Sequence, residues 1–188
     1  MKHELLRVLG TGISALLAAM VINTAVAQTT SPGPYYATPS WDQQLPTSTR
    51  FVVLSNWVDS NFPSGGAAVL DRETGLVWER APLTTILTWG GAVDHCFALN
   101  VGNRGGWRLP KAQELRSLMD PTVASTPVLP AGHPFMNVQS IGYWSATLSA
   151  QQAGWAWIAN FAGGGGTGPE SNFAYVWCVR GGQAADSQ

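Results

Sequence analysis

Gly105-Gly106-Trp107-Arg108-Leu109-Pro110-Lys111-Ala112-Gln113-Glu114-Leu115 is the stretch on which the fold turns. Pro110 suits the first turn of a helix, where its missing N–H would have no partner and its φ is already helical. Ala112, Leu115, Leu118 and Met119 then share one stripe, so a helix is predicted over about 110 to 119. Upstream, Trp89, Ala92, Val93, Cys96 and Phe97 recur at i, i+3, i+4, i+7 and i+8. That spacing predicts a second helix, capped by Thr88 and ending near Asn100, with Cys96 on its buried face.

Strands are expected on both sides of these helices. Phe51 to Leu54, Ala67 to Leu70 and Leu76 to Glu79 are short apolar runs, and Asp71-Arg72-Glu73-Thr74-Gly75 between the last two reads as a hairpin turn with Gly75 at positive φ. As a calcium loop, the Asp-x-Glu-x-Gly fragment lacks the other ligand positions. Asp120 to Pro134 holds four prolines and reads as an irregular loop. Three further strands are expected over 142 to 147, 154 to 161 and 173 to 180, the last two separated by a flexible tip at Gly163 to Gly166. Alternation puts Trp155, Trp157 and Phe161 on one face of their strand, and Ala174, Val176 and Cys178 together in the last one. Two helices between strands, with a mainly antiparallel twisted sheet, make an α+β domain.

The whole chain carries 10 Lys and Arg against 11 Asp and Glu, with charged residues at 11% and a formal net charge of -1. A surface so poor in cations lacks the basic patch that displaces counterions from nucleic acid. Apolar residues at 45% can bury a core, which argues against disorder. Nine Trp, 21 Gly and 12 Pro set large rigid side chains among many turns.

Residues 1 to 27 read as a secretory signal. Lys2 and Arg7 supply the positive start, Val8 to Ile22 the apolar stretch and Ala25-Val26-Ala27 the small-residue cleavage pattern, so cleavage is expected before Gln28. Gly10, Thr11, Gly12, Ser14, Asn23 and Thr24 dilute the apolar run below a membrane span. An exported protein, periplasmic or extracellular and without stable membrane insertion, is expected. Residues 28 to 49, rich in Pro, Thr and Ser, read as a linker, 50 to 182 as the domain and 183 to 188 as a disordered tail. Cys96 and Cys178, the two cysteines of an exported chain, find their simplest use in a disulfide, which would close a loop of about 80 residues. A metal pair and a catalytic thiol beside His95 are the competing uses; the first lacks further ligands, and in the second neighbouring helix side chains diverge by about 100°.

Five separated motifs in order then carry a resemblance. They are Asp71-x-x-Thr74-Gly75-Leu76-x-Trp78, Trp89 to Cys96, Gly105 to Pro110 with Glu114-Leu115, Tyr143 to Thr147, and Cys178-Val179-Arg180. Over about residues 65 to 181 the chain resembles the C-terminal domain of bacterial collagen-like adhesins, the Lcl C-terminal domain family. The resemblance implies a C-type-lectin-like fold, with Cys96 and Cys178 joined between a helix and the last strand. It implies structural places for Gly75, Trp78, Trp107, Arg108, Pro110, Glu114, Trp144 and Arg180. Some members bind glycosaminoglycan-like polysaccharide. Lys111 stands where the family has a Thr that would complete a capping box with Glu114, so that helix must find its cap elsewhere. Calcium is not implied, because the Glu-Pro-Asn and Trp-Asn-Asp strings of calcium-dependent lectins are absent, and Pro169-Glu170-Ser171-Asn172 has the wrong order.

An Arg beside a buried Trp more often holds a fold than catalyses, so Arg108 is expected to pair with Glu114 or Asp120. His133 stands alone in a Pro-rich loop, without a second ligand at metal spacing. The leading functional expectation is a recognition or adhesion module that binds carbohydrate or another surface polymer without calcium. Its loops lie between about Asp120 and Asn172, with Trp155, Trp157, Asn160, Glu170 and Asn172 as candidate contacts. The alternative is a structural or oligomerisation domain without a small ligand. No enzyme, cofactor or metal is expected: related folds house formylglycine-generating oxidases that use a reactive cysteine pair, and this chain has only the pair read as structural. Trp41, Trp57, Trp155 and Trp157 are left as surface aromatics.

Overall fold

The computed structural model describes residues 45–181. The leader, Trp41, most of the linker and the tail read from the sequence lie outside the described residues. Among the described residues, three helices and two five-stranded sheets stand where two helices and a single sheet were expected. The α+β class holds. No helix among the described residues is long and apolar enough to cross a membrane.

The first sheet has the order β1-β2-β3-β10-β5, built from β1 (Phe51–Val53), β2 (Ala68–Asp71), β3 (Leu76–Glu79), β5 (Trp107–Arg108) and β10 (Val179–Arg180), all antiparallel. The second, β4-β9-β6-β7-β8, comprises β4 (Leu83–Leu87), β6 (Gly142–Leu148), β7 (Trp155–Asn160), β8 (Gly165–Pro169) and β9 (Ala174–Val176). Its one parallel contact joins Tyr143 of β6 to Tyr175 of β9. The strand expected over 173 to 180 is thus two strands in different sheets. The chain changes sheets at Trp177 and Cys178, which are held by Glu79 instead of by a ladder: Trp177 Nε1 donates to the Glu79 carbonyl at 2.9 Å, and the Cys178 N–H donates to Glu79 Oε2 at 2.8 Å.

Within the expected glycine tip, only Gly163 and Gly164 turn, at φ 104° and 114°, a conformation that costs a residue without Cβ little. Gly165 and Gly166 open β8 and pair with Ala159 and Ile158. Gly75 closes the β2–β3 hairpin at φ 69°, as expected.

Helix α2 (Trp89–Ala98) begins where Thr88 accepts the Gly91 N–H. Ala92 and Cys96 are buried, but Phe97 is 83% exposed, so it leaves the expected stripe. Successive residues rotate by about 100°, and with Ala92, Cys96 and Leu99 facing inward, Phe97 and His95 fall on opposite flanks of that face. Helix α3 (Ala112–Ser117) starts after Pro110, with Lys111 as N-cap, so the proline precedes the helix instead of forming its first turn. Glu114 Oε2 accepts the Lys111 N–H at 2.7 Å, and Thr147 Oγ1 of β6 accepts the Ala112 N–H at 3.0 Å. A threonine distant in sequence thus bonds an N–H of the first turn, where the family's own cap residue is missing.

The second sheet separates two hydrophobic clusters. Trp144, Ala156, Val176 and Cys178 pack with Ala92 and Cys96 of α2. Tyr143, Phe161 and Trp177 pack with Leu115 of α3, with Leu118 just past its end and with Trp78. Trp78, Trp107, Trp144 and Trp177 are all fully buried or nearly so. Truncating one such core indole to Ala costs about 3–5 kcal/mol.

The single turn α1 (Thr47–Arg50) occupies the end of the segment read as linker. It delivers Arg50, 1% exposed, onto the Asp71 carboxylate with bonds of 3.0 and 2.8 Å. Glu73 Oε2 lies 3.3 Å from Arg50 Nε, and the Ser117 carbonyl accepts from Nη2 at 2.7 Å. The hairpin carboxylates therefore hold an internal arginine, which sequence reading placed at a domain border.

Candidate functional site

The five residues expected to bind a ligand fall into two groups. Trp155 and Trp157, half-buried, lie at one end of β7, paired with Pro169 and Thr167 of β8. Glu170 joins that end, since its N–H donates to the Gly154 carbonyl, and exposed Asn172 follows in the same turn. Asn160 lies at the far end of β7, on the alternate face, five residues or about 17 Å from Trp155. Its Oδ1 accepts the Ala162 N–H and shapes the turn into β8. Glu170 also uses its carbonyl to accept the Trp89 N–H.

The motif residues build structure. Cys96 and Cys178 form the disulfide, with Cα atoms 5.4 Å apart. Arg108 clasps Glu114 through two bonds of 2.8 and 2.7 Å and donates to the Gly181 carbonyl, so of its two expected partners it takes Glu114. Trp107 Nε1 donates to the Arg104 carbonyl and Trp144 Nε1 to the Leu87 carbonyl. Half-buried Trp89 donates to the Ser145 carbonyl. Lone His133 stacks on Phe135 at 6.0 Å.

Two recesses lie apart from the five expected contact residues, and of the expected loop region only Asn137 reaches one of them. The first, about 300 Å³, is lined by Leu54, Leu70 and Val77 and by Trp57, Arg104 and Arg180. Arg104 sits 4.5 Å from the centre of the Trp57 ring and Arg180 5.8 Å from it, at cation–π distance. Each guanidinium has one backbone anchor, Arg104 to the Gly102 carbonyl and Arg180 to the Gly105 carbonyl. Neither is in an ion pair among the described residues. Trp57 itself is braced edge-on by Trp107 at 6.1 Å.

The second recess, about 440 Å³, lies where Asp59–Asn61, the end of β3, the start of β4, the C-terminal half of α2 and Asn137 meet. Its floor is Glu79, 7% exposed. Burial, opposed by the hydrogen bond from Cys178 and reinforced by the charge of Asp59, pushes the Glu79 carboxyl up to about 8. His95, from the flank of α2, is held below its ordinary value by burial, and its buried Nε2 has no hydrogen-bond partner among the described residues. Ligand atoms of Glu79, His95 and Cys178 lie within 4.8 Å of one another. Cys178 is in the disulfide and has no thiolate to offer, which leaves two metal ligands where zinc sites take three or four.

Sequence reading missed both recesses. Glu79 appeared as the polar end of an apolar strand, His95 as a bystander of Cys96, and Arg104 not at all. The available signal was Glu79 itself, a carboxylate directly after Leu76-Val77-Trp78 where a buried strand is read.

No curated protein matches the chain. The Lcl C-terminal domain matches it over residues 67–180, which take in the disulfide, the Arg108–Glu114 clasp and both recesses apart from the Leu54 to Asn61 rim and Gly181, and so the chain belongs to the Lcl C-terminal domain family.

Proposed function

We propose that this protein is an exported, non-enzymatic recognition module that binds a polysaccharide or another surface polymer without calcium, and that its anionic groups enter the Trp57–Arg104–Arg180 recess. The observation that carries the reading is the convergence of two guanidiniums, neither paired with a carboxylate among the described residues, on one indole. Guanidinium forks match carboxylate and sulfate oxygens, and the apolar wall of Leu54, Leu70 and Val77 suits the flat face of a sugar ring. The half-buried Trp155–Trp157 strip with Glu170 and Asn172 is a second contact zone under the same reading. We read the fold as C-type-lectin-like, supported by the disulfide that ties α2 to the segment before the last strand and by the two-sheet layout. The signal-like leader over residues 1 to 27 of the sequence supports export.

An array of neutral and anionic polysaccharides probed with the mature chain tests this. Retention on carboxylated or sulfated polymers, lost in Arg104→Ala, supports it; no retention on any polymer refutes it. The exposed Phe97 (83%) and Phe173 (64%) favour a second reading, an assembly domain without a ligand. Sedimentation decides that point, since a monomer at high concentration removes it.

A further inference from the structure

We propose that the Glu79–His95 cavity is a separate binding site for a small polyol bearing a primary ammonium, an amino sugar being the class that fits. An ammonium presents three donors and no acceptor. The cavity offers acceptors from three separate parts of the chain, the Glu79 carboxyl of β3, the Asp59 carboxyl of the loop before β2 and the imidazole of His95 on α2, and it is lined by no Lys or Arg. His95 lines this space, and among the described residues its buried Nε2 has no hydrogen-bond partner; such a group costs free energy that a ligand hydrogen bond recovers. Asn100, Asn137 and Thr84 ring the remainder with amides and a hydroxyl, partners for a hydroxylated body. The volume, about 440 Å³, is in the range of small-ligand sites.

The charge logic distinguishes an amine from a neutral sugar. Groups facing Glu79 are Asp59, which raises its pKa, His95, and the Cys178 N–H, which lowers it. The Arg80 side chain turns away, to the carbonyls of Pro134 and Gly66. With Glu79 at about 8, the empty site holds a neutral carboxyl at pH 7, and an entering ammonium stabilises the carboxylate. The Glu79 proton then leaves to buffer, so amine binding releases a proton and neutral-sugar binding does not.

Calorimetry on the mature chain at pH 7, with glucosamine and glucose in buffers of different ionisation enthalpy, tests this. Glucosamine is expected to bind about 10-fold tighter than glucose, as a charge-assisted hydrogen bond would give, with a fraction of a proton released. Glu79→Gln retains an acceptor for Cys178 and should erase both the preference and the proton release, with the fold monitored by melting. Asp59→Asn, which keeps the oxygen that accepts the Asn61 and Phe62 N–H groups, should reduce the preference and decides the matter if Glu79→Gln fails to fold. Equal affinities, no binding of either sugar, or a preference that survives both variants overturns the proposal. So does zinc alone binding more tightly than glucosamine. The outcome is independent of the anionic-polymer reading, because Arg104→Ala leaves this cavity intact.

Discussion

In the Trp57 recess, the charge is permanent and sits at the rim: Arg104 is exposed, Arg180 half-buried, and each is steered by one backbone carbonyl and the indole face. In the Glu79 cavity the charge is conditional and sits at the floor, since burial keeps the carboxyl protonated near neutral pH and the imidazole uncharged. The difference follows from solvent access. A guanidinium remains ionised anywhere, so it can wait for an anion in water, whereas a carboxyl inside a domain must be neutralised or paired. Arg50 shows the remaining case, a buried cation already satisfied by Asp71 and Glu73.

The largest expected effect is at the disulfide, whose Cys178 reaches Glu79 directly through its N–H, while the wall of the Trp57 recess meets it only through apolar packing. Replacing Cys96 and Cys178 by Ala should remove about 4.5 kcal/mol by the loop-entropy estimate for roughly 80 residues, read by denaturant unfolding. It should also loosen the Cys178 N–H from Glu79, so amine binding is lost before anionic-polymer binding. Arg50→Ala, leaving two buried carboxylates unpaired, should cost about 3–5 kcal/mol without altering either recess's selectivity in the fraction that folds.

Glu79 gives the next effect. Its folded value lies above its ordinary 4.5, so the folded state binds more protons between 4.5 and about 8, and stability falls as pH rises through that window. His95 and His133, both held low by burial, act oppositely as pH falls through 6.5. Between pH 6.5 and 8.5 Glu79 dominates. The melting temperature should therefore decline over that interval in the native chain and stay nearly flat in Glu79→Gln. Smallest is Thr147→Val, which removes the distant partner of the Ala112 N–H and should cost about 1 kcal/mol of stability while both recesses bind normally.

These contrasts also show what a linear reading can reach. The β2–β3 hairpin, α2, the Cys96–Cys178 pairing and the Arg108–Glu114 clasp were legible because each rests on local chemistry, periodicity or family motif. Strand β8 was not, because Gly165 and Gly166 carry turn propensity and are held extended by Ile158 and Ala159 across the ladder. The β5 strand is too short to show a period, and β4 was passed over beside the α2 signal. The split of the last strand depends on Glu79, almost a hundred residues away. Both recesses join residues from separate parts of the chain: Arg180 comes beside Trp107 through the β10–β5 pairing, and the Trp57 loop is tied to the Gly102–Arg104 turn by the Gly102 N–H donating to the Val58 carbonyl. Expected contacts Trp155, Trp157, Glu170 and Asn172 do gather at one end of β7, while Asn160 sits apart because a six-residue strand separates it from them.

The proposed role of the two arginines around Trp57, neither paired with a carboxylate among the described residues, is to recognise an anionic polymer. Its most direct measurement follows the Trp57 indole N–H resonance in the mature chain during titration with polygalacturonate, and with neutral dextran as the matched probe. A saturable shift with polygalacturonate that weakens as salt rises is expected, with no shift for dextran and loss of the response in the Arg104→Ala, Arg180→Ala double variant. An unmoved Trp57 signal at saturating polygalacturonate, or equal shifts with both polymers, would contradict it.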